Sequence, residues 1–151
     1  MALMLAQALT QQSRPTPGIA YIHTMHILFI GGTRFVGRAI AHEALCRGHR
    51  VDVFHRGHTG IHALPGAHHR LGDRNADIST LATGHWDVTI DVCAYRPGEI
   101  DTLAQALGGR GGRQVLISSV SAYAEAMPAH SDESAALADT ALMSGKDLAT
   151  L

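Results

Sequence analysis

The chain has 151 residues, a formal net charge of −1 and two cysteines. This length predicts one domain, and the near-neutral charge argues against binding to nucleic acid or to an anionic membrane surface. No run of about 18 apolar residues occurs, so we expect no transmembrane helix. Cys46 and Cys93 lack the spacing of a zinc site or a disulfide framework, which favours a reducing, cytoplasmic location.

The 11 histidines raise the question of a metal site. His55, His58 and His62 lie close together in a glycine-containing loop, and His68 and His69 are adjacent. No His-Glu-x-x-His pattern and no Cys/His pairing with zinc-finger spacing occurs. We therefore predict surface histidines and no metal site.

Composition divides the chain into three parts. Residues 1–24 contain Arg14-Pro15-Thr16-Pro17-Gly18, a run that breaks regular structure and predicts a disordered leader, with Met25 as an alternative start. Residues 25–133 carry the apolar periodicity of one domain. Residues 134–151 form an alanine-rich tail that is compatible with a helix.

Within the domain, short apolar runs alternate with segments of helical spacing. The predicted strands cover residues 26–30, 51–54, 69–71, 86–92 and 114–118; the predicted helices cover 35–46, 97–107 and, weakly, 77–82. This alternation predicts an α/β fold, a Rossmann-like doubly wound parallel sheet of about five strands with helices on both faces. Ligands of such sheets bind beyond the carboxyl ends of the strands.

A glycine-rich motif, Gly31-Gly32-Thr33-Arg34-Phe35-Val36-Gly37, follows the first predicted strand and opens a predicted helix. In this context the motif indicates dinucleotide binding, because the helix N-terminus can hold a pyrophosphate. Gly31 would permit the tight turn, and Gly37 would let helix and strand pack closely. A plain strand-to-helix turn is the alternative.

These residues resemble the start of the NAD-dependent epimerase/dehydratase family, within the extended or atypical short-chain dehydrogenases/reductases. The resemblance is to members with a Gly-Gly-Thr-Arg-Phe-x-Gly turn, a group that includes plant chloroplast stem-loop-binding proteins. The usual family pattern is Gly-x-x-Gly-x-x-Gly, and here Arg34 stands at the middle glycine. Arg34 would either pair with a phosphate or fold outward into solvent.

The resemblance also implies cofactor contacts at the ends of later strands. Relatives that prefer NAD carry an acid after the second strand, where this chain has His55 and Arg56; a base there favours NADP over NAD, unless Arg56 is an ordinary solvated arginine. The other positions that match the family's cofactor contacts follow the third, fourth and fifth strands: Asp73 and Arg74, Ala94 and Tyr95, and Ser118.

The fifth predicted strand runs into Ser118-Ser119-Val120-Ser121-Ala122-Tyr123, which resembles the family's Ser-Ser-x-Ser-x-Tyr segment. By this resemblance, Ser119 takes the place of the catalytic serine, whose hydroxyl bonds the substrate oxygen; Ser121 is the second candidate. The implied substrate of an intact relative is a small molecule with a carbonyl group or a sugar nucleotide.

The family's Tyr-x-x-x-Lys acid/base motif is absent. None of the three tyrosines is followed by a lysine four positions later. The resemblance covers residues 25–133, and we expect the last strands of the sheet and the substrate domain to be missing. The sequence thus predicts an NAD(P)-binding domain that is catalytically incomplete. The alternatives are a non-catalytic nucleotide- or RNA-binding module, with RNA disfavoured by the charge, and a non-functional fragment. An unpaired sheet edge would favour a homo-oligomer.

Overall fold

The computed structural model describes residues 23–59, 61–124 and 128–138. Most of the predicted leader (1–22) and of the predicted tail (139–151) lies outside these residues. The strands are β1 (His26–Ile30), β2 (Arg50–His55), β3 (His68–Leu71), β4 (Val88–Asp91) and β5 (Arg113–Leu116). The α-helices are α1 (Phe35–Cys46) and α2 (Pro97–Leu107), and short 3₁₀ turns cover Ile61–Ala63, Ser79–Leu81 and Val120–Ala122.

The five strands form one parallel sheet in the order β3-β2-β1-β4-β5. β1 lies at the centre, where Ile30 is in register with Phe54 of β2 on one side and with Asp91 of β4 on the other. The chain reverses direction across the sheet between β3 and β4, which is the order of a doubly wound Rossmann-like fold. The predicted fold class is confirmed.

Both faces of β1 are buried, because alternate side chains of a strand point to opposite faces. Ile27 and Phe29 pack with Ala41 of α1 on one face. Leu28 and Ile30 pack on the other face, in a cluster that includes Trp86, Leu103, Leu107, Phe54 and Leu81. The sequence of a central parallel strand is almost continuously apolar because both of its faces are buried. This is why β1 could be recognised in the sequence.

The helices begin and end at the residues that their sequences indicate. α1 is followed by Gly48 in the left-handed region, with φ +80°, as expected for a helix C-terminus. α2 begins at Pro97, whose missing N–H costs nothing in the first turn. Within the described residues, no helix is long and apolar enough to cross a membrane.

The strands β2 and β3 differ from the prediction by one residue at one end or both, and three other elements differ by two residues or more. β4 begins at Val88 rather than at residue 86, because the backbone N–H of Trp86 donates to the carbonyl of Arg110 at 2.8 Å, outside the sheet ladder. β5 ends at Leu116, two residues early. The weak helix at 77–82 is a single 3₁₀ turn, Ser79–Leu81, in which the Asp77 carboxylate accepts hydrogen bonds from the backbone N–H and the hydroxyl of Ser79.

The edge strand β5 is poorly covered. All four of its residues are exposed, and no described strand pairs with its outer side. Val115 and Leu116 are the large apolar side chains of this edge.

Candidate functional site

A cavity of about 580 Å³ lies at the carboxyl ends of β1, β2 and β4, beside the N-terminus of α1. The predicted site residues that line it are Gly31 to Gly37, His55, Arg56, Asp73, Arg74 and Tyr95. The lining of the cavity also includes residues that the sequence analysis did not assign to this site, among them His58, Thr59, Asn75, Cys93, Glu99 and Ile117. The position follows from the topology, because the crevice opens where the sheet order reverses.

The glycine-rich turn has backbone conformations that only glycine adopts easily. Gly31 and Gly32 have φ values of +84° and +90°. The N–H of Gly31 donates to the carbonyl of Phe54 at 2.8 Å, which joins the turn to β2. At Gly37, a Cβ atom would lie 2.7 Å from the Cα of Gly32 and 2.9 Å from Cγ2 of Val92. Glycine at this position therefore lets α1 pack against the turn, as the motif predicts.

The N-terminus of α1 opens onto the cavity. Its N-cap residue, Arg34, makes no side-chain capping bond, and the first turn holds no acidic residue. Such an end, with its positive partial charge, suits an anionic group. The next residue, Phe35, is 90% exposed and has a φ of +41°, which is strained for a residue with a side chain.

Hydrogen bonds join the end of β2 and the loop after it to the glycine-rich turn and to β3. The hydroxyls of Thr33 and Thr59 lie 2.8 Å apart, which links the loop to the glycine-rich turn. The buried ring of His55 bonds the backbone of Gly57 and the ring of His69. Both ring nitrogens of His55 are therefore occupied within the protein, while the side chain of Arg56 is exposed at the cavity.

The segment after β3 contains the two predicted residues Asp73 and Arg74. Asp73 forms an isolated antiparallel bridge with Asp77, and its carboxylate accepts the N–H of Asn75 at 2.9 Å. The guanidinium of Arg74 is 9% exposed and ion-paired with Asp91 at 2.9 Å. Asp91 thus neutralises the charge of Arg74. Arg74 is therefore a poor partner for a phosphate in this arrangement.

Two residues that sequence reasoning did not place in the site line the cavity beside β4. Burial raises the pKa of the Cys93 thiol, and this effect outweighs the hydrogen bond from Arg74. Burial also raises the pKa of Glu99, but the backbone N–H groups of Tyr95 and Arg96 donate to its carboxylate and leave the pKa below its usual range. Glu99 stands in the first turn of α2, two residues after Pro97, a position at which an acidic residue is favoured.

The predicted serines lie beside the cavity rather than in its lining. Ile117 lines it, and the segment that follows carries Ser119 and Ser121, whose hydroxyls are 2.7 Å apart. Ser119 also accepts the N–H of Ser121 at 3.3 Å, so it caps the 3₁₀ turn. Ser118 and Ala94 are likewise not among the lining residues.

Among residues 23–59, 61–124 and 128–138, no group of three or more His, Cys, Asp or Glu side chains is arranged to hold an ion.

Comparison with solved structures identifies the fold. The chain is similar to a short-chain dehydrogenase/reductase from Veillonella parvula DSM 2008, with 10% identity, a TM-score of 0.57 and coverage of 65% of this chain and 49% of that one. It is also similar to gox2253, with 25% identity, a TM-score of 0.54 and coverage of 66% of this chain and 36% of that one. Vestitone reductase from alfalfa, Medicago sativa, gives 21% identity, a TM-score of 0.50 and coverage of 66% and 38%.

The chain therefore spans between about a third and a half of the length of these proteins. At such low identity the likeness shows a shared Rossmann-like fold. No protein-family model matches the chain, and no curated protein sequence matches it.

Proposed function

We propose that residues 25–133 form the NAD(P)-binding domain of an oxidoreductase of the short-chain dehydrogenase/reductase type, of the epimerase, dehydratase or reductase kind. The observation that carries this proposal is the placement of the glycine-rich turn. It joins β1 to the uncapped N-terminus of α1 and borders a cavity of about 580 Å³. A dinucleotide pyrophosphate would accept hydrogen bonds from the backbone N–H groups of this helix end.

We propose further that NADP is preferred over NAD. The side chains that line the cavity at the glycine-rich turn and after β2 include Arg34, Arg56 and His58, and no carboxylate lies in either segment. A carboxylate there would bind the two hydroxyls of the adenosine ribose, whereas an exposed guanidinium can bind a 2′-phosphate through parallel hydrogen bonds. Asp73, beyond β3, is held toward Asn75 by its own hydrogen bond.

For the chain as given, the proposal is dinucleotide binding without efficient turnover. Ser119 follows the lining residue Ile117 by two positions, and in the proposal its hydroxyl would bond the oxygen of a small carbonyl or sugar-nucleotide substrate. The sequence offers no Tyr-x-x-x-Lys pair to move the proton. Hydride transfer would need such a pair in addition to the residues described.

Calorimetric titration with NADP⁺ and, separately, NAD⁺ tests the proposal. We expect saturable binding, tighter for NADP⁺, and a loss of about tenfold or more in NADP⁺ affinity on Arg56→Ala, because a charge-assisted hydrogen bond is lost. Affinity for NAD⁺ should stay unchanged. Arg47→Ala is the matched control, since Arg47 is an exposed arginine paired with Glu43 at the far end of α1.

Two outcomes would contradict the proposal. A chain that unfolds cooperatively but binds neither dinucleotide is not a cofactor domain. Equal losses for NADP⁺ and NAD⁺ on Arg56→Ala would mean that this arginine does not recognise a 2′-phosphate.

A further inference from the structure

The ring of His55 holds the loop that carries Arg56. Its Nδ1 accepts a hydrogen bond from the backbone N–H of Gly57 at 3.0 Å, and its Nε2 lies 2.8 Å from Nδ1 of His69. His55 is buried at the end of β2, with 7% of its surface exposed. The turn between β2 and the rest of the loop is closed by this side chain, in the manner of an Asx turn.

The two bonds assign the proton on each ring. The N–H of Gly57 can only donate, so Nδ1 of His55 must be unprotonated and the proton of the neutral ring lies on Nε2. Nε2 then donates to Nδ1 of His69, which must also be unprotonated. A second proton on His55 would place two N–H groups against each other at Gly57, and the bond would be lost.

The turn that this bond holds is conformationally demanding. Gly57 has a φ of +84°, and Arg56 lies between it and His55, with its exposed side chain at the cavity. Released from the His55 ring, the segment would sample other conformations, so ordering it again would cost entropy at the moment of binding.

We infer that neutral His55 is a positioning residue that holds the Arg56–Gly57 turn in the conformation that binds a dinucleotide, and that protonation of its ring releases this turn and weakens binding. The inference rests on the proposed function, whose binding site it would regulate. It assigns His55 a role through the loop backbone in place of a direct contact with the cofactor ribose.

The surroundings of His55 set the direction of the pH effect. His69 on β3 is the titratable group in contact with the ring, edge to face at 5.0 Å between centroids. Arg34 from the glycine-rich turn, Arg56 and His58 from the loop, and Asp73 after β3 line the same cavity. Burial is the first cause that lowers the pKa of His55 from its usual 6.5, and the repulsion that would arise if both His55 and His69 were protonated is the second. The ring is therefore neutral at neutral pH, and the turn is released only on acidification below 6.5.

Two substitutions of His55 distinguish the effect of the hydrogen bond to Gly57 from the effect of protonating the ring. In His55→Asn, the side-chain oxygen can accept the Gly57 N–H in an Asx turn and does not titrate. In His55→Ala, the acceptor is absent at every pH. His85→Asn is the control, since His85 is exposed and does not line the cavity.

The experiment is calorimetric titration of each variant with NADP⁺ between pH 5 and pH 8. The 2′-phosphate itself titrates near pH 6, so the measured quantity is the affinity of His55→Asn divided by that of the wild type. We expect a ratio near one at pH 8, rising as the pH falls below 6.5 and reaching about tenfold, the equivalent of one hydrogen bond. His55→Ala should bind about tenfold more weakly than His55→Asn at every pH.

The amide resonance of Gly57 provides an independent readout in the ligand-free protein. It should shift with pH in the wild type and stay constant in His55→Asn. A pH-independent affinity ratio, or equal affinities of His55→Ala and His55→Asn, would overturn the inference and leave the proposed function intact. A folded wild type that binds no dinucleotide at any pH would overturn both, even if the Gly57 resonance titrates.

Discussion

Arg74 binds Asp91 through two parallel hydrogen bonds, Nη1 to Oδ1 and Nη2 to Oδ2, each 2.9 Å long. Nη2 donates also to the carbonyl of Glu99 at 3.1 Å. The pair thus joins the segment after β3 to the end of β4 and to the first turn of α2. Both side chains are more than nine-tenths buried, and Asp91 is the closest counter-charge of Arg74, with the Glu99 carboxylate 4.0 Å from its Nε.

Removal of one partner of this pair should be strongly destabilising. Asp91→Ala removes the bidentate partner of the buried Arg74 guanidinium and leaves only the Glu99 carboxylate, 4.0 Å from its Nε. We expect a loss of about 3–5 kcal/mol in the free energy of unfolding. Urea denaturation measures this loss. Glu43→Ala, which breaks the exposed Glu43–Arg47 pair, should cost at most about 0.5 kcal/mol. Similar losses in the two variants would show that burial of the Arg74–Asp91 pair is unimportant.

The lowered pKa of the Asp52 carboxyl leads us to expect that the free energy of unfolding depends on pH. Burial raises the pKa of this carboxyl, but hydrogen bonds from His26, Arg70 and Trp86 outweigh burial and leave the pKa below the usual 3.8. The unfolded chain then takes up the proton first. The stability that this carboxylate contributes is full above pH 3.8 and is lost as the pH falls through the lowered value.

The matched variant Asp52→Asn should therefore lose about 1.5–3 kcal/mol at pH 7, the range of hydrogen bonds to a charged group. The difference from the wild type should shrink as the pH falls toward and below 3.8. Urea titrations at pH 7, at pH 5 and below pH 3.8 follow this difference. Asp101→Asn, at an exposed position of α2, should change stability little at each pH. A difference for Asp52→Asn that grows on acidification would refute the assignment.

The two helices offer a matched pair of glycine substitutions. Gly37→Ala places a methyl group 2.7 Å from the Cα of Gly32 and 2.9 Å from Val92, and we expect it to destabilise the protein by about 1–3 kcal/mol. Gly98→Ala meets nothing within 4 Å in the first turn of α2 and should stabilise by up to about 1 kcal/mol through helix propensity. Thermal unfolding shows whether each substitution raises or lowers the stability. Stabilisation by both substitutions would contradict the close packing of α1 against the glycine-rich turn.

Much of the fold was predictable because its signals are local in sequence. β1 is an uninterrupted apolar run, α1 has helical spacing closed by Gly48, and Pro97 marks the start of α2. The bounds of β4 were wrong because they depend on a partner far along the chain: the backbone of Trp86 bonds Arg110, and its indole donates to Asp52.

The candidate site was predictable only where a motif specifies it. The glycine-rich turn lies where the sequence predicted it, since its glycines are needed by their own backbone conformations. The engagement of His55 by His69 could not be read from the sequence, because it depends on the pairing of β2 with β3. The same is true of Arg74, whose partner Asp91 belongs to a strand on the opposite side of β1.

The central position of β1 also has a consequence for the order in which the chain assembles during synthesis. Its partner on one side, β2, follows after a single helix. The buried residues of their shared core with α1 all lie at or before Leu64, with Val88 and Ile90 of β4 packed against that core later. The opposite face of β1 is covered by Trp86, Leu103 and Leu107, which emerge from the ribosome much later. The α1 face can therefore close largely first, while the cover of Leu28 and Ile30 stays incomplete until Leu103 and Leu107 of α2 have been made.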